Sequence, residues 1–205
     1  MTLTIAEVID RLAASRIIPV VRAGSAQAAY EIVARLLGSG IDTIECTATT
    51  PEWPSLLATL RVASVDALLG MGTITTAANA HLAVAAGADF LVSPYPCPDV
   101  RTVADRAGVL FIEGGLTPGE VASASRHGVA KLFPAHVGGV PFLKSLLDVL
   151  PGARIIPTGG IAVADVPQWL AAGAFAVGVG SDLYASNDLD AKVRDLQATI
   201  GVADR

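Results

Sequence analysis

Lys131 is one of three lysines among 205 residues, and its setting, Val129-Ala130-Lys131-Leu132-Phe133, is otherwise apolar. The other two differ: Lys144 in FLKSLLDVL and Lys192 in LDAKVRDL have the spacing of solvated helix charges. A lysine is almost never fully buried without a reason. Burial disfavours the ammonium form, and the neutral amine that results is a nucleophile toward carbonyl carbon. The competing reading is a lysine that snorkels out of a strand end or pairs with a carboxylate. Glu45, closing the run Ile41-Asp42-Thr43-Ile44-Glu45, is the carboxylate to consider. Beside an amine it can pass protons in carbinolamine and enamine steps. The plainer alternative is an ion pair that keeps the lysine charged. Side chains alternate along a strand, so Cys46 faces away from Glu45 and reads as a small hydrophobe.

Two glycine-rich stretches form a third feature: Pro157-Thr158-Gly159-Gly160-Ile161 and Gly178-Val179-Gly180-Ser181. Backbone N–H groups there can hold a phosphate without side-chain charge; the alternative is a pair of tight turns with nothing bound. His81, His127 and His136 show no metal-ligand spacing, so no metal site is expected. The first two read as helix residues, while His136, after Phe133-Pro134-Ala135, can reach a strand-end cleft. Cys97, in SPYPCP, receives no role. Two cysteines make no disulfide framework, and a reducing cytoplasm is the expected compartment.

These residues need a frame, and the chain supplies an alternating one. Short apolar runs at 17–22, 41–46, 67–72, 89–94, 109–114, 130–135, 154–160 and 174–180 read as buried parallel strands. Between them lie alanine-rich segments of helical length, such as 26–40, 75–88 and 163–174. Glycines in LGSGI, AAGAD, RHGVA and AAGAF suit the left-handed position that closes a helix. Thr75 or Thr76, Thr117 with Glu120, and Asp165 read as helix caps. Eight strands alternating with helices predict one α/β domain spanning 1–205: a (β/α)8 TIM barrel with an extra N-terminal helix near 4–15 covering its floor. A doubly wound open sheet is the rival, and it lacks a Gly-x-Gly-x-x-Gly after the first strand. In a barrel the reactive groups gather at the C-terminal strand ends, and phosphate sits after the last two strands.

With 52% hydrophobic and 16% charged residues, the chain has ample material for a large core. No apolar run approaches the roughly 18 residues of a membrane span, and the N-terminus lacks the basic start of a signal peptide. A net charge of −5 without a Lys/Arg cluster argues against nucleic acid. The expected partner is a small molecule.

The chain resembles the 2-keto-3-deoxy-6-phosphogluconate (KDPG) aldolases and the related phosphogalactonate aldolases over essentially its whole length. The marks are Ile44-Glu45, Gly70-Met71-Gly72-Thr73, Ser93-Pro94, Lys131-Leu132-Phe133-Pro134-Ala135 with Gly138-Gly139, and Pro157-Thr158-Gly159-Gly160-Ile161. The resemblance implies a homotrimeric, cofactor-free and metal-free class I aldolase that reversibly cleaves a 2-keto-3-deoxy-6-phospho-sugar acid to pyruvate and glyceraldehyde 3-phosphate. Lys131 would form the Schiff base, and Glu45 would be the general acid/base through a water. Thr73 and Pro94 would shape the pyruvate end, with Phe133 packed beside it. Thr158 would contact substrate hydroxyls, and Gly159, Gly160, Gly180 and Ser181 would take the phosphate.

Four departures stand out. The arginine that gluconate-type members carry four residues after the glutamate is Thr49 here; galactonate-type members instead have an arginine ending strand one, which is Arg22 here. Arg22 is therefore expected to hold the substrate carboxylate at the mouth near Glu45, the alternative being a plain Arg22–Glu45 ion pair. Thr50-Pro51-Glu52-Trp53 and Ser181-Asp182-Leu183-Tyr184 look galactonate-like, and Asp182 sets a carboxylate beside the expected phosphate. Glu113 stands where proline is usual, and facing the barrel it would add a second carboxylate near Lys131. Met71 replaces alanine, which would narrow the mouth. Two further functions stay open: an aldolase for 4-hydroxy-2-oxoglutarate, and a non-catalytic binder of oxo-acid phosphates, against which the presence of both Lys131 and Glu45 counts.

Overall fold

The computed structural model describes residues 3–185 and 188–201. Eight strands, each parallel to its neighbours, run as β1 (Ile17–Val21), β2 (Thr43–Thr47), β3 (Leu68–Gly72), β4 (Phe90–Val92), β5 (Leu110–Gly115), β6 (Val129–Leu132), β7 (Arg154–Pro157) and β8 (Val177–Val179). Their order is β7-β6-β5-β4-β3-β2-β1-β8. The ends meet through a parallel bridge between Thr158 and Gly178 and a hydrogen bond from Phe175 N to Ile155 O (2.9 Å), so the sheet closes on itself. The helices are α1 (Ile5–Ser15), α2 (Ala26–Gly38), α3 (Trp53–Ala63), α4 (Ala77–Ala85), α5 (Pro98–Ala107), α6 (Pro118–Ser125), α7 (Gly139–Val149), α8 (Val166–Ala171), α9 (Ser181–Tyr184) and α10 (Leu189–Ile200). This is the expected TIM barrel with its extra N-terminal helix.

Strand alternation divides the core in two. One face of each strand turns inward, where Ile18, Leu68, Phe90, Val92, Leu110, Ile112, Val129 and Ile156 fill the barrel, and Val8 and Leu12 of α1 plug the floor. Each such side chain contributes about 1.5–3 kcal/mol on burial. The other face, with Cys46, Met71, Leu91, Phe111, Leu132 and Val179, packs against the helices. Met71 therefore points at the helix layer and does not narrow the mouth. Burial, with the neighbouring Glu45 charge adding to it, pushes the Cys46 thiol up to about 12.

The local signals mostly hold. Thr117 and Glu120 form a capping box, and Thr76 caps α4 through Asn79 N. Gly40, Gly87, Gly128 and Gly173 all have positive φ between a helix and the next strand. Four expectations need correction. Asp165 stands at the start of α8 but its side chain makes no cap bond, and the expected helix 163–174 is a 3-10 turn, Val163–Asp165, followed by α8. Pro167 explains the break, since proline fits only a helix's first turn. β4 and β6 stop before Pro94 and Pro134, because proline cannot donate to a ladder. His127 lies in the turn after α6.

Candidate active site

The C-terminal strand ends enclose a cavity of about 480 Å³. β1 and its extension give Val20 and Arg22, β2 gives Glu45 and Thr47, and the turns after β3 and β4 give Thr73 and Pro94. β6 supplies Lys131 and, just beyond its end, Phe133; the segment after β7 supplies Thr158, Gly159 and Gly160; the β8–α9 turn supplies Gly180, Ser181 and Tyr184. The structure thus brings all eleven expected site residues together. Three wall residues were not anticipated: Val20, Thr47 and Tyr184. Only Tyr184 left a trace in the sequence, as the last residue of Ser181-Asp182-Leu183-Tyr184.

At the base of the cavity Lys131 Nζ donates to Glu45 Oε1 at 3.4 Å, with the two side chains only 7% and 5% exposed. The lysine nitrogen also lies 5.4 Å from the centroid of the Phe133 ring. Beneath the pair is a void of about 10 Å³ among Ile18, Phe90, Val92, Ile112 and Ile156, no larger than one water. The two charges therefore rest on apolar filling and open only upward. Among the described residues no ion pair joins Arg22 to Glu45, so the plain-pair alternative for Arg22 is not what the structure contains. Arg22 is exposed at the cavity rim.

Neighbouring backbone fits this arrangement closely. A Cβ on Gly72 of β3 would sit 1.9 Å from Glu45 Oε1, so only glycine lets the carboxylate lie across that strand. Thr73, next in the chain, has φ 59, which is costly for a β-branched residue. The chain is secured directly afterwards by Ile74 N donating to Val92 O at 3.0 Å. Gly159 and Gly160 have φ of 96 and 69, a turn closed to side-chained residues without strain. His136 Nδ1 lies 3.2 Å from the carbonyl of Gly159.

Two carboxylates singled out as departures belong elsewhere. Glu113 faces outward: it accepts from Cys97 N at 2.6 Å and pairs with Arg101 at 3.4 Å, tying β5 to the start of α5. Its neighbour Ile112 takes the inward position. Gly114 sits beside Lys131 in register, under the Ser93–Pro94 backbone. Asp182 turns from the cavity and accepts from Val163 N at 2.8 Å, with Lys192 3.8 Å away. Asp182 is therefore not among the residues that line the cavity. Thr49, at the usual arginine position, lies 2.9 Å from the Thr47 hydroxyl. Among the described residues, no three His, Cys, Asp or Glu side chains group to hold a metal, and no helix is long and apolar enough to cross a membrane.

The sequence profile of the KDPG and KHG aldolases matches residues 8–199. A 2-dehydro-3-deoxy-phosphogluconate aldolase of Treponema pallidum is 34% identical over 172 residues, 82% of this chain and 80% of the relative. A 2-dehydro-3-deoxy-6-phosphogalactonate aldolase of Escherichia coli is 28% identical over 172 residues, 82% of this chain and 84% of the relative. The crystal structure of KDPG aldolase from Legionella pneumophila, with pyruvate captured as a covalent carbinolamine, superimposes with a TM-score of 0.81 at 28% identity, covering 96% of this chain and 98% of the other. On that profile match and the coverage of these relatives, the chain belongs to the KDPG and KHG aldolase family.

Proposed function

We propose that this protein is a class I aldolase that reversibly cleaves a 2-keto-3-deoxy-6-phospho-sugar acid to pyruvate and glyceraldehyde 3-phosphate. The observation that carries it is the buried Lys131–Glu45 pair, 3.4 Å apart at the floor of an otherwise open cavity. The amine of Lys131 attacks C2 of the oxo acid, the C2 oxygen leaves as water, and an iminium remains. Glu45, directly or through a water, takes the proton of the C4 hydroxyl. The C3–C4 bond breaks, its electron pair passes into the enamine, and C4 leaves as the aldehyde. Protonation at C3 then gives the iminium of pyruvate, and water releases pyruvate and the free lysine.

The other cavity residues orient the substrate. Arg22 holds the carboxylate, for which its planar fork is suited. Thr73, Pro94 and Phe133 bound the pyruvate end, and Thr158 meets substrate hydroxyls. Gly159, Gly160, Gly180 and Ser181 take the phosphate through backbone N–H groups. The family relationship supports a homotrimer, which light scattering after size exclusion checks. Both cysteines are free and buried, in keeping with a reducing cytoplasm.

Borohydride reduction with pyruvate, followed by peptide mapping, tests the chemistry. A reduced adduct is expected on Lys131 alone; an adduct on Lys144, or none, removes the class I mechanism. The family's second activity, on 4-hydroxy-2-oxoglutarate, is the alternative. It requires cleavage to survive removal of the substrate phosphate, whereas the phospho-sugar acid reading requires that activity to collapse.

A further inference from the structure

Arg22 lies one residue past the end of β1, where a backbone would ordinarily become loop. Its neighbours keep it in register. In the β1–β8 ladder, Val177 N donates to Arg16 O at 2.8 Å, and Ile18 and Pro19 pair with Gly178 and Val179. Along a strand, the N–H and C=O of alternate residues turn to one side. Arg16, Ile18, Val20 and Arg22 therefore present theirs toward β8. Continued register would put Ser181 between the Val20 carbonyl and the Arg22 N–H. But β8 ends at Val179, and the chain turns at Gly180 into α9.

Tyr184 takes that ladder position with a side chain. Its phenol donates to Val20 O at 3.3 Å and accepts from Arg22 N at 3.3 Å. On the opposite edge, the Thr47 hydroxyl donates to Val21 O and the Thr50 hydroxyl accepts from Ala23 N, each at 3.3 Å. Three hydroxyls thus continue the ladder for two residues beyond the strand. Tyr184 and Thr50 are both buried, so water does not readily replace either.

We infer that Tyr184 is a positioning residue for substrate binding: its hydroxyl stands in for the continuation of β8 past Val179 and fixes the backbone from which Arg22 reaches the substrate carboxylate. Because Tyr184 closes the single turn of helix that begins at Ser181, the same element joins the carboxylate end of the cavity to its phosphate end. The inference rests on the proposed role of Arg22.

The test is a double-mutant cycle of Tyr184→Phe with Arg22→Ala, assayed by cleavage kinetics and by the pyruvate concentration that half-saturates borohydride trapping. Phenylalanine keeps the ring and removes only the hydroxyl. In the native background we expect KM and the half-saturating pyruvate concentration to rise about three- to tenfold, the factor of one lost hydrogen bond, with kcat within about twofold. In the Arg22→Ala background the same substitution should change KM by less than about twofold, because there is no guanidinium left to position. An equal rise in both backgrounds overturns the inference, since Tyr184 then acts independently of Arg22. No rise in Tyr184→Phe, with Arg22→Ala impaired, overturns it too and leaves the role of Arg22 intact. An unimpaired Arg22→Ala removes that role and the inference together. Thr50→Val, which deletes the hydroxyl on the other edge, serves in the same cycle with the same expected pattern if Tyr184→Phe does not fold.

Discussion

Gly72→Ala separates the position of Glu45 from its chemistry. The new methyl would lie 1.9 Å from Glu45 Oε1, 2.6 Å from its Cδ and 2.9 Å from its Cγ, whereas Cβ contacts essentially never fall under 3.0 Å. The oxygen must therefore retreat by at least about 1.1 Å. Beneath it is filled barrel, so the only way out is upward into the cavity. A carboxylate is the mobile end of a flexible side chain, and the fold should yield at a cost below about 2 kcal/mol. Catalysis should not yield so cheaply: a misplacement near 1 Å costs on the order of 10²-fold. We expect kcat for cleavage, and solvent exchange of the pyruvate methyl protons followed by NMR, each to fall by about that factor. Lys131 should still be trapped by borohydride, because its amine is untouched. A folded Gly72→Ala protein that exchanges methyl protons at the native rate refutes the reasoning, because Glu45 then needs no fixed position.

Three further outcomes follow from the geometry. Glu45→Gln keeps shape but cannot accept a proton, so methyl-proton exchange should drop roughly 10²–10⁴-fold; near-native exchange would move the base elsewhere, and Glu113 is no substitute because it faces α5. Glu113→Ala leaves the Cys97 N–H without its acceptor and takes one carboxylate from the Arg101 guanidinium, which keeps Phe111 O and Asp105, and should cost about 1–3 kcal/mol in urea unfolding with kcat/KM little changed. The Cys46 thiol, raised by burial from an ordinary 9.0 to about 12, stays protonated in the folded protein while it ionises in the unfolded chain. Its contribution is thus fully present below pH 9 and is lost as pH rises from there to about 12, by up to about 1.4 kcal/mol per pH unit. Thermal melts across that range, compared with Cys46→Ala, measure it.

What the sequence determined by itself was whatever depends on near neighbours. Alternating apolar runs and helices, the Thr117–Glu120 capping box and the glycines before β2, β4, β6 and β8 follow from local preferences that act over a few residues. Lys131 was legible for a related reason: one charge in an apolar strand is conspicuous without any partner in view. Directions around the barrel were not legible. Whether Glu113 or Ile112 faces the axis depends on parity set by pairing with β4 and β6, and a one-residue change of register reverses it. The same holds for Met71, which was expected to narrow the mouth and packs against helices instead. Asp182 reads as a threat to phosphate until Val163, 19 residues earlier, is seen to take its carboxylate. Tyr184 joins Val20 across 164 residues, and no spacing rule carries that far. Only closure of the barrel, which fixes every strand's register at once, decides such contacts.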